Sequence, residues 1–252
     1  DTFKNVAQHK HRINRQVLKT ILRRTATEKD MPNSVKSPTA ILWVIAAVQF
    51  LTPFMFSAIA VALPSIGDEF SAGAVQLGLV EMAYILAIAL LLLPIGRYAD
   101  IHGRKRIFLS GIFVITCATL ALALAPTIAL LIIFRFIQGI GAAMITSSSL
   151  AILSATFPPQ ERGKALGVVV GCVYLGISAG PLLAGLMIDY LGWRWIFYSA
   201  VPVEGMILLF ALLRLQGEWA DARGERFDIV GSILYIIAMF CIVVGILLAQ
   251  NF

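Results

Sequence analysis

The sequence predicts an all-α integral membrane protein, and three features of its 252 residues support that prediction. Hydrophobic residues make up 59% of the chain. Charged residues make up only 13%, about half the share usual in a globular domain, which excludes a soluble enzyme. The third feature is a series of apolar runs about 20 residues long, the length that a helix needs to cross the hydrocarbon core of a bilayer.

Seven such runs follow one another along the chain. They are Thr39–Leu63, Val75–Ile95, Ile107–Ala125, Thr127–Leu153, Leu166–Ile188, Trp195–Leu213 and Ile229–Ala249. Each is apolar on every side, whereas a helix on the surface of a soluble protein has a polar face. The residues between them favour helix ends: Pro64, Gly73, Gly103, Pro126, Pro158, Pro159, Gly192 and Gly217. Their short connections predict a tight antiparallel bundle.

The basic residues predict the orientation of the spans, since short loops rich in Lys and Arg stay on the cytoplasmic side. With residue 1 inside, 18 of the 20 Lys and Arg residues lie in inner segments. Arg194 alone lies in an outer loop, and Arg135 lies within a span. We therefore expect a protein integral to the cytoplasmic (plasma) membrane, surrounded by its lipids, with a cytoplasmic N-terminus.

Residues 1–38 form a tail with nine basic and three acidic residues, whereas the rest of the chain has eleven of each. The basic charge is thus confined to the tail, and we expect no nucleic-acid partner. Three interpretations of the tail remain open. It is a basic amphipathic helix lying on the inner leaflet, a disordered segment, or, over residues 1–30, a sequence that precedes a natural start at Met31.

The connection between the second and third spans is short and highly charged. Its residues of interest are Gly96, Arg97, Asp100, Gly103, Arg104 and Arg106. Glycines at both ends predict tight backbone, and Gly103 can adopt the left-handed geometry that other residues avoid. A role in topology alone would explain the basic residues. It would not explain the spacing of the two glycines and the aspartate.

The fourth and fifth spans contain a buried charge and a series of small residues. Arg135 lies about 12 Å into the fourth span, too deep to reach water easily, so it is expected to face a cavity or a partner. Gly139 follows one turn later. In the fifth span Gly176, Gly180 and Gly185 predict close helix packing, and Pro181 predicts a bend.

In this order the three stretches resemble signatures of the major facilitator superfamily of secondary transporters. Gly96–Arg106 is similar to its loop signature G-x-L-a-D-r-x-G-r-k, with Tyr98 in place of Leu and Ile101 in place of Arg. Leu131–Ala143 resembles l-x-x-x-R-x-x-q-G-x-g-a-a without departure. Gly176–Gly185 resembles the antiporter signature g-x-x-x-G-P-x-x-G-G, with Ala184 in place of the first of the last two glycines.

Gly192–Phe197, Val201–Pro202 and Arg226–Asp228 further resemble the fourteen-span drug:proton antiporter group, and the resemblance is to its N-terminal half. It implies a cytoplasmic tail at 1–38, a six-helix transporter half at 39–215, a cytoplasmic linker at 216–228 and a further span at 229–252. The partners it implies are a small-molecule substrate and a missing C-terminal half or pairing subunit, because the fold needs two facing halves. It implies no enzyme activity and no bound cofactor, with the proton gradient as the energy source.

The function implied is efflux of small lipophilic or cationic solutes by alternating access, with the Gly96–Arg106 loop controlling the alternation. An importer or uniporter of the same fold remains open, as does a half-length scaffold or regulator that does not transport.

Three ionisable residues within spans are candidates for proton coupling: Glu81, Arg135 and Glu204. The resembled group usually has an Asp in its first span, where this chain has Met55. With that carboxylate absent, Glu81 beside Arg135 is the predicted proton carrier. The alternative is a static Glu81–Arg135 pair that only holds helices together.

Overall fold

The computed structural model describes residues 38–215, 217–220 and 222–249, and within these it contains seven α-helices and no strand. The helices are α1 (Pro38–Phe70), α2 (Ala74–His102), α3 (Arg104–Ala123), α4 (Ile128–Thr156), α5 (Pro159–Leu191), α6 (Arg194–Arg214) and α7 (Ile229–Ala249). The predicted all-α fold is confirmed, and α1 to α6 are long and apolar enough to cross a membrane. Apart from its last residue, the predicted tail lies outside the described residues.

Most helices extend beyond their apolar runs, because polar residues at both ends continue the helical hydrogen bonding. Pro64 was predicted to end the first helix, and this is wrong, since α1 continues to Phe70. A proline inside a helix removes one hydrogen bond and bends the helix, but the turns that follow it can still form. Pro53, Pro94, Pro181 and Pro202 likewise lie inside helices.

Glycines set the closest approaches between helices in the bundle. The main packing pairs are α1 with α5, α4 with α2 and α3, and α6 with α3. A Cβ atom at Gly139 would lie 2.7 Å from the Ala87 Cβ, so α4 approaches α2 closely only because this residue is Gly. A Cβ atom at Gly176 would likewise overlap the Phe50 carbonyl oxygen of α1, so α5 approaches α1 closely only because this residue is Gly.

A polar cluster ties the helix ends at the side opposite Gly103. The Glu69 carboxylate at the end of α1 accepts hydrogen bonds from Trp193 Nε1, at 2.7 Å, and from the Arg194 guanidinium. Arg194 also donates to the Ala125 carbonyl oxygen at 3.1 Å. These hydrogen bonds join the end of α1 to the α3–α4 and α5–α6 connections.

Candidate functional site

Arg135 lies in the interior of the bundle with none of its surface exposed. Its Nε donates to the Val80 carbonyl oxygen of α2 at 3.2 Å, and its Nη1 donates to Gln138 Oε1 at 2.7 Å. The guanidinium carbon lies 4.5 Å from the centre of the Tyr84 ring. Nη2 has no hydrogen-bond partner among the described residues. The predicted deep placement of this charge is therefore observed, with Tyr84 and Gln138 as its immediate neighbours.

A chain of hydrogen bonds continues from Arg135 to the carboxylate of Glu204. Arginine only donates, so the Gln138 atom facing it must be the carbonyl oxygen. The Gln138 Nε2 then donates to Thr119 Oγ1 at 3.0 Å. The Thr119 hydroxyl proton is left for Glu204 Oε1, at 3.1 Å. This chain joins α4, α3 and α6, and every hydrogen bond in it points from the guanidinium toward the carboxylate.

Glu204 is as deeply placed as Arg135, with 3% of its surface exposed. Its second oxygen, Oε2, is buried and has no hydrogen-bond partner in the described part of the chain. A buried carboxyl oxygen without a donor strongly disfavours charge, so this atom is well suited to bind a proton.

The hydrogen-bonded chain borders a small cavity inside the bundle, with room for about one water molecule. Its lining consists of Thr52, Met55, Tyr84, Ile115, Arg135, Gln138 and Glu204. A second cavity of similar small size shares Thr52, Ile115 and Glu204 and is otherwise apolar. The position at which the resembled group has an Asp, Met55, thus lies in the same cavity as Glu204.

Glu81 and Arg135, predicted as a pair, are not within ion-pairing distance. No hydrogen bond or N–O contact within 4.0 Å joins them among the described residues, although the two charges lie close enough to interact electrostatically. Glu81 is half-buried on α2. Sequence reasoning missed Gln138 and Thr119. The available signals were the one-turn spacing of Gln138 from Arg135 and the polarity of Thr119 inside an apolar run.

The charged connection consists of a one-residue break between two helices. Residues 96–102 are the last turns of α2, and Arg104–Arg106 are the first turn of α3. The expectation of tight backbone at Gly96 is therefore wrong, because this residue lies within a regular helix. Gly103 has a φ of 115°, which L side chains rarely adopt, so the expectation at Gly103 is confirmed. Asp100 Oδ1 accepts from Arg104 Nε across the break at 2.7 Å.

The linker between α6 and α7 packs directly on this break. Glu218 Oε1 accepts from the Lys105 backbone N–H at 2.8 Å and so caps the first turn of α3, where a negative charge is favourable. Its Oε2 lies 3.5 Å from Arg106 Nε. The Trp219 carbonyl oxygen accepts from the Arg104 N–H at 2.8 Å, and Glu225 pairs with Arg97 at the surface. The sequence suggested no such docking.

Comparison with known proteins identifies the family. The family model of the major facilitator superfamily matches residues 45–250, which is most of the chain. The chain belongs to the major facilitator superfamily.

Two relatives agree with that assignment, and one solved structure has a similar fold. Multidrug resistance protein Stp of Mycobacterium tuberculosis (strain CDC 1551 / Oshkosh) is 37% identical over 74% of this chain and 35% of its own length. The tetracenomycin C resistance and export protein of Streptomyces glaucescens is 30% identical over 84% of this chain and 39% of its own length. The human organic anion transporter MFSD10 (TETRAN) shares the fold, with a TM-score of 0.66 and 17% identity over 79% of this chain and 53% of that one. This major facilitator chain thus spans well under half the length of both bacterial relatives.

The glycines that resemble the family's antiporter signature divide into two groups in α5. Gly176 and Gly180 contact α1, and a Cβ at Gly180 would lie 2.8 Å from the Phe54 carbonyl oxygen. The predicted packing role of Gly185 is wrong for the described bundle, since a Cβ there would meet nothing within 4 Å. Five residues turn a helix about 140° away from Gly180, so buried Ala184 occupies the packing face instead. Pro181 lies on the exposed side.

The hydrogen bond across the break predicts how this member of the superfamily responds to mutation there. Asp100→Ala removes the carboxylate that accepts from Arg104 Nε across the break and should slow transport about tenfold with normal membrane insertion. Glu225→Gln removes a surface pair of little energetic value and should stay within about twofold of wild type. Transport by the full-length product of the gene, measured in vesicles, checks both. Equal rates for Asp100→Ala and wild type would leave the break without a role in transport.

Proposed function

We propose that this chain is the N-terminal half of a secondary active transporter that exports small lipophilic or cationic solutes in exchange for protons. Transport proceeds by alternating access between this six-helix half and a second half, supplied by the rest of the polypeptide or by a pairing subunit. The proposal includes a cytoplasmic N-terminus in the plasma membrane, with the α2–α3 break on the cytoplasmic side. No cofactor takes part, and the proton gradient supplies the energy.

The observation that supports proton coupling is the buried polar chain from Arg135 to Glu204. The bundle around it is apolar, so burying these charged groups is costly. Charged residues inside membrane spans usually have a function for this reason. Glu204 Oε2 and Arg135 Nη2 are both left without hydrogen-bond partners among the described residues. A purely structural network would be expected to satisfy these atoms, because each unsatisfied buried group destabilises the fold.

The substrate class and the direction of transport rest on the lining of the cavities and on the relatives. The lining of the second cavity is mostly apolar, a chemistry that favours lipophilic over polar solutes where this face meets the second half; its apolar residues are Val48, Leu51, Ile112, Ile145 and Ile207. The names of Stp and of the tetracenomycin C protein concern resistance and export, and they support the outward direction.

The test uses everted membrane vesicles that contain the full-length product of the gene, with ethidium as the fluorescent lipophilic cation. Acidifying the lumen should drive ethidium into the lumen, and collapse of the pH gradient by nigericin should release it. Vesicles without the protein provide the control. Equilibration without regard to the gradient would indicate a uniporter, movement only under the reversed gradient an importer, and no movement a scaffold; each result would contradict proton-coupled export.

A further inference from the structure

We propose that Glu204, rather than Glu81, is the carboxylate that binds and releases the coupling proton. This inference rests on the proposed function, since it assigns the proton step of that same transport cycle to one residue. The binding atom is Oε2, because Oε1 already accepts the Thr119 hydroxyl hydrogen bond.

The surroundings of Glu204 support both protonation states. The hydrogen bond from Thr119 stabilises the charged form, and burial with an unpartnered Oε2 stabilises the neutral form. No Lys or Arg nitrogen of the described residues lies within 4.0 Å of the carboxylate to lock it as an ion. A carrier needs this balance, because it must gain a proton facing one side of the membrane and lose it facing the other.

The ionisable groups around Glu204 are few. Tyr84 of α2 and Arg135 of α4 line the same cavity. The lining residues of α1 and α3 are apolar or neutral, and α5 supplies no lining residue to either cavity. Arg135 is therefore the only described cation that responds to the charge of Glu204 across the cavity, through Gln138 and Thr119.

Glu81 lacks this arrangement. It is half-buried, and no hydrogen bond from another described side chain reaches it. Glu204 also lines both cavities, whereas Glu81 lines neither.

Protonation of Oε2 removes the negative end of the hydrogen-bonded chain. An O–H bond forms on Glu204, and the same bond breaks when the proton leaves to the opposite side. In the neutral state the hydrogen bonds from Arg135 through Gln138 and Thr119 no longer end on a charge, which weakens the connection of α4 through α3 to α6. The protonation state of one carboxyl thus alters the interior of the half that must move against the second half during alternating access.

The experiment compares carboxamide variants of the full-length product in the everted vesicles, with ethidium as the probe. Glu204→Gln keeps the shape of the side chain and its acceptor oxygen. It should lower gradient-driven ethidium accumulation about fiftyfold, while exchange of ethidium at equal pH stays within about threefold of wild type, because exchange needs no net proton movement. Glu204→Asp should retain gradient-driven accumulation. Asp189→Asn, which alters an exposed carboxylate of α5, is the matched control.

The outcomes separate this inference from the proposed function. Wild-type coupling in Glu204→Gln would overturn the assignment, and loss of coupling in Glu81→Gln alone would assign the proton to Glu81. A wild-type protein that shows no gradient-driven accumulation would overturn the proposed function and the assignment with it.

A second pair of variants keeps the inference testable if Glu204→Gln fails to fold. Thr119→Val removes the hydrogen bond to the charged carboxylate, so the pH at which transport is half-maximal should rise by about one pH unit. Thr119→Ser retains the hydroxyl and should keep the wild-type profile. A merely structural role for Thr119 would lower the amount of folded protein without moving the profile. An unchanged profile in Thr119→Val would overturn the inference.

Discussion

Replacing Arg135 with Met should lower gradient-driven ethidium transport by about a hundredfold while the protein still folds in the membrane. Met fills much of the same volume, and a buried charge with one unpartnered nitrogen contributes little to stability. Without the guanidinium the Gln138 amide loses the donor that fixes its orientation, and the Val80 carbonyl oxygen loses the donor that it has in addition to its helical N–H. The hydrogen bonds that link α4 to Glu204 then have no fixed order of donors and acceptors.

Transport and thermal unfolding, measured on the same purified samples, check this expectation. Arg135→Lys is the matched control. It keeps the charge but not the planar fork that bonds Val80 and Gln138 together, so it should retain partial transport. A folded Arg135→Met protein with normal transport would remove this residue from the mechanism.

Replacing Gly176 with Ala should destabilise the α1–α5 interface by about 3 kcal/mol, the upper end of the usual cost of overpacking. The added Cβ would overlap the Phe50 carbonyl oxygen and lie 3.2 Å from the Phe54 backbone nitrogen. Backbone atoms inside a helix cannot rotate away, so the two helices must separate. We expect a lower unfolding temperature and a lower yield of membrane-inserted protein.

Gly185→Ala is the matched control, since the same added atom meets nothing within 4 Å. It should be neutral or stabilise α5 by up to about 1 kcal/mol, because Ala is the better helix former. Equal unfolding temperatures for Gly176→Ala and Gly185→Ala would contradict the close approach of α1 and α5.

The positions of the spans could be predicted because hydrophobicity is a property of each local segment. The ends of the helices could not, since Asp68 and Glu69 continue α1 as regular helix after the apolar run stops. Pro64 was taken as a helix end because proline often terminates helices. Only one hydrogen bond depends on its missing N–H, and α1 continues past it.

The buried site was predictable in part. That the site lies deep in the bundle and contains a cation could be predicted from Arg135 alone, because a charge inside a span needs a polar environment. Its partners depend on how three helices pack, and no local pattern places Thr119 of α3 against Glu204 of α6. The docking of Glu218 on α3 involves residues more than 100 positions apart and was equally invisible in the sequence.

The most direct test of proton-coupled export is the movement of protons caused by the solute itself. Liposomes that contain the full-length product and a trapped pH-sensitive dye are prepared with no pH gradient, and ethidium is added outside. Antiport predicts that ethidium influx drives protons out, so the lumen becomes alkaline in wild type and stays unchanged in Glu204→Gln. Ethidium influx into wild-type liposomes with no change in the internal pH would contradict the account.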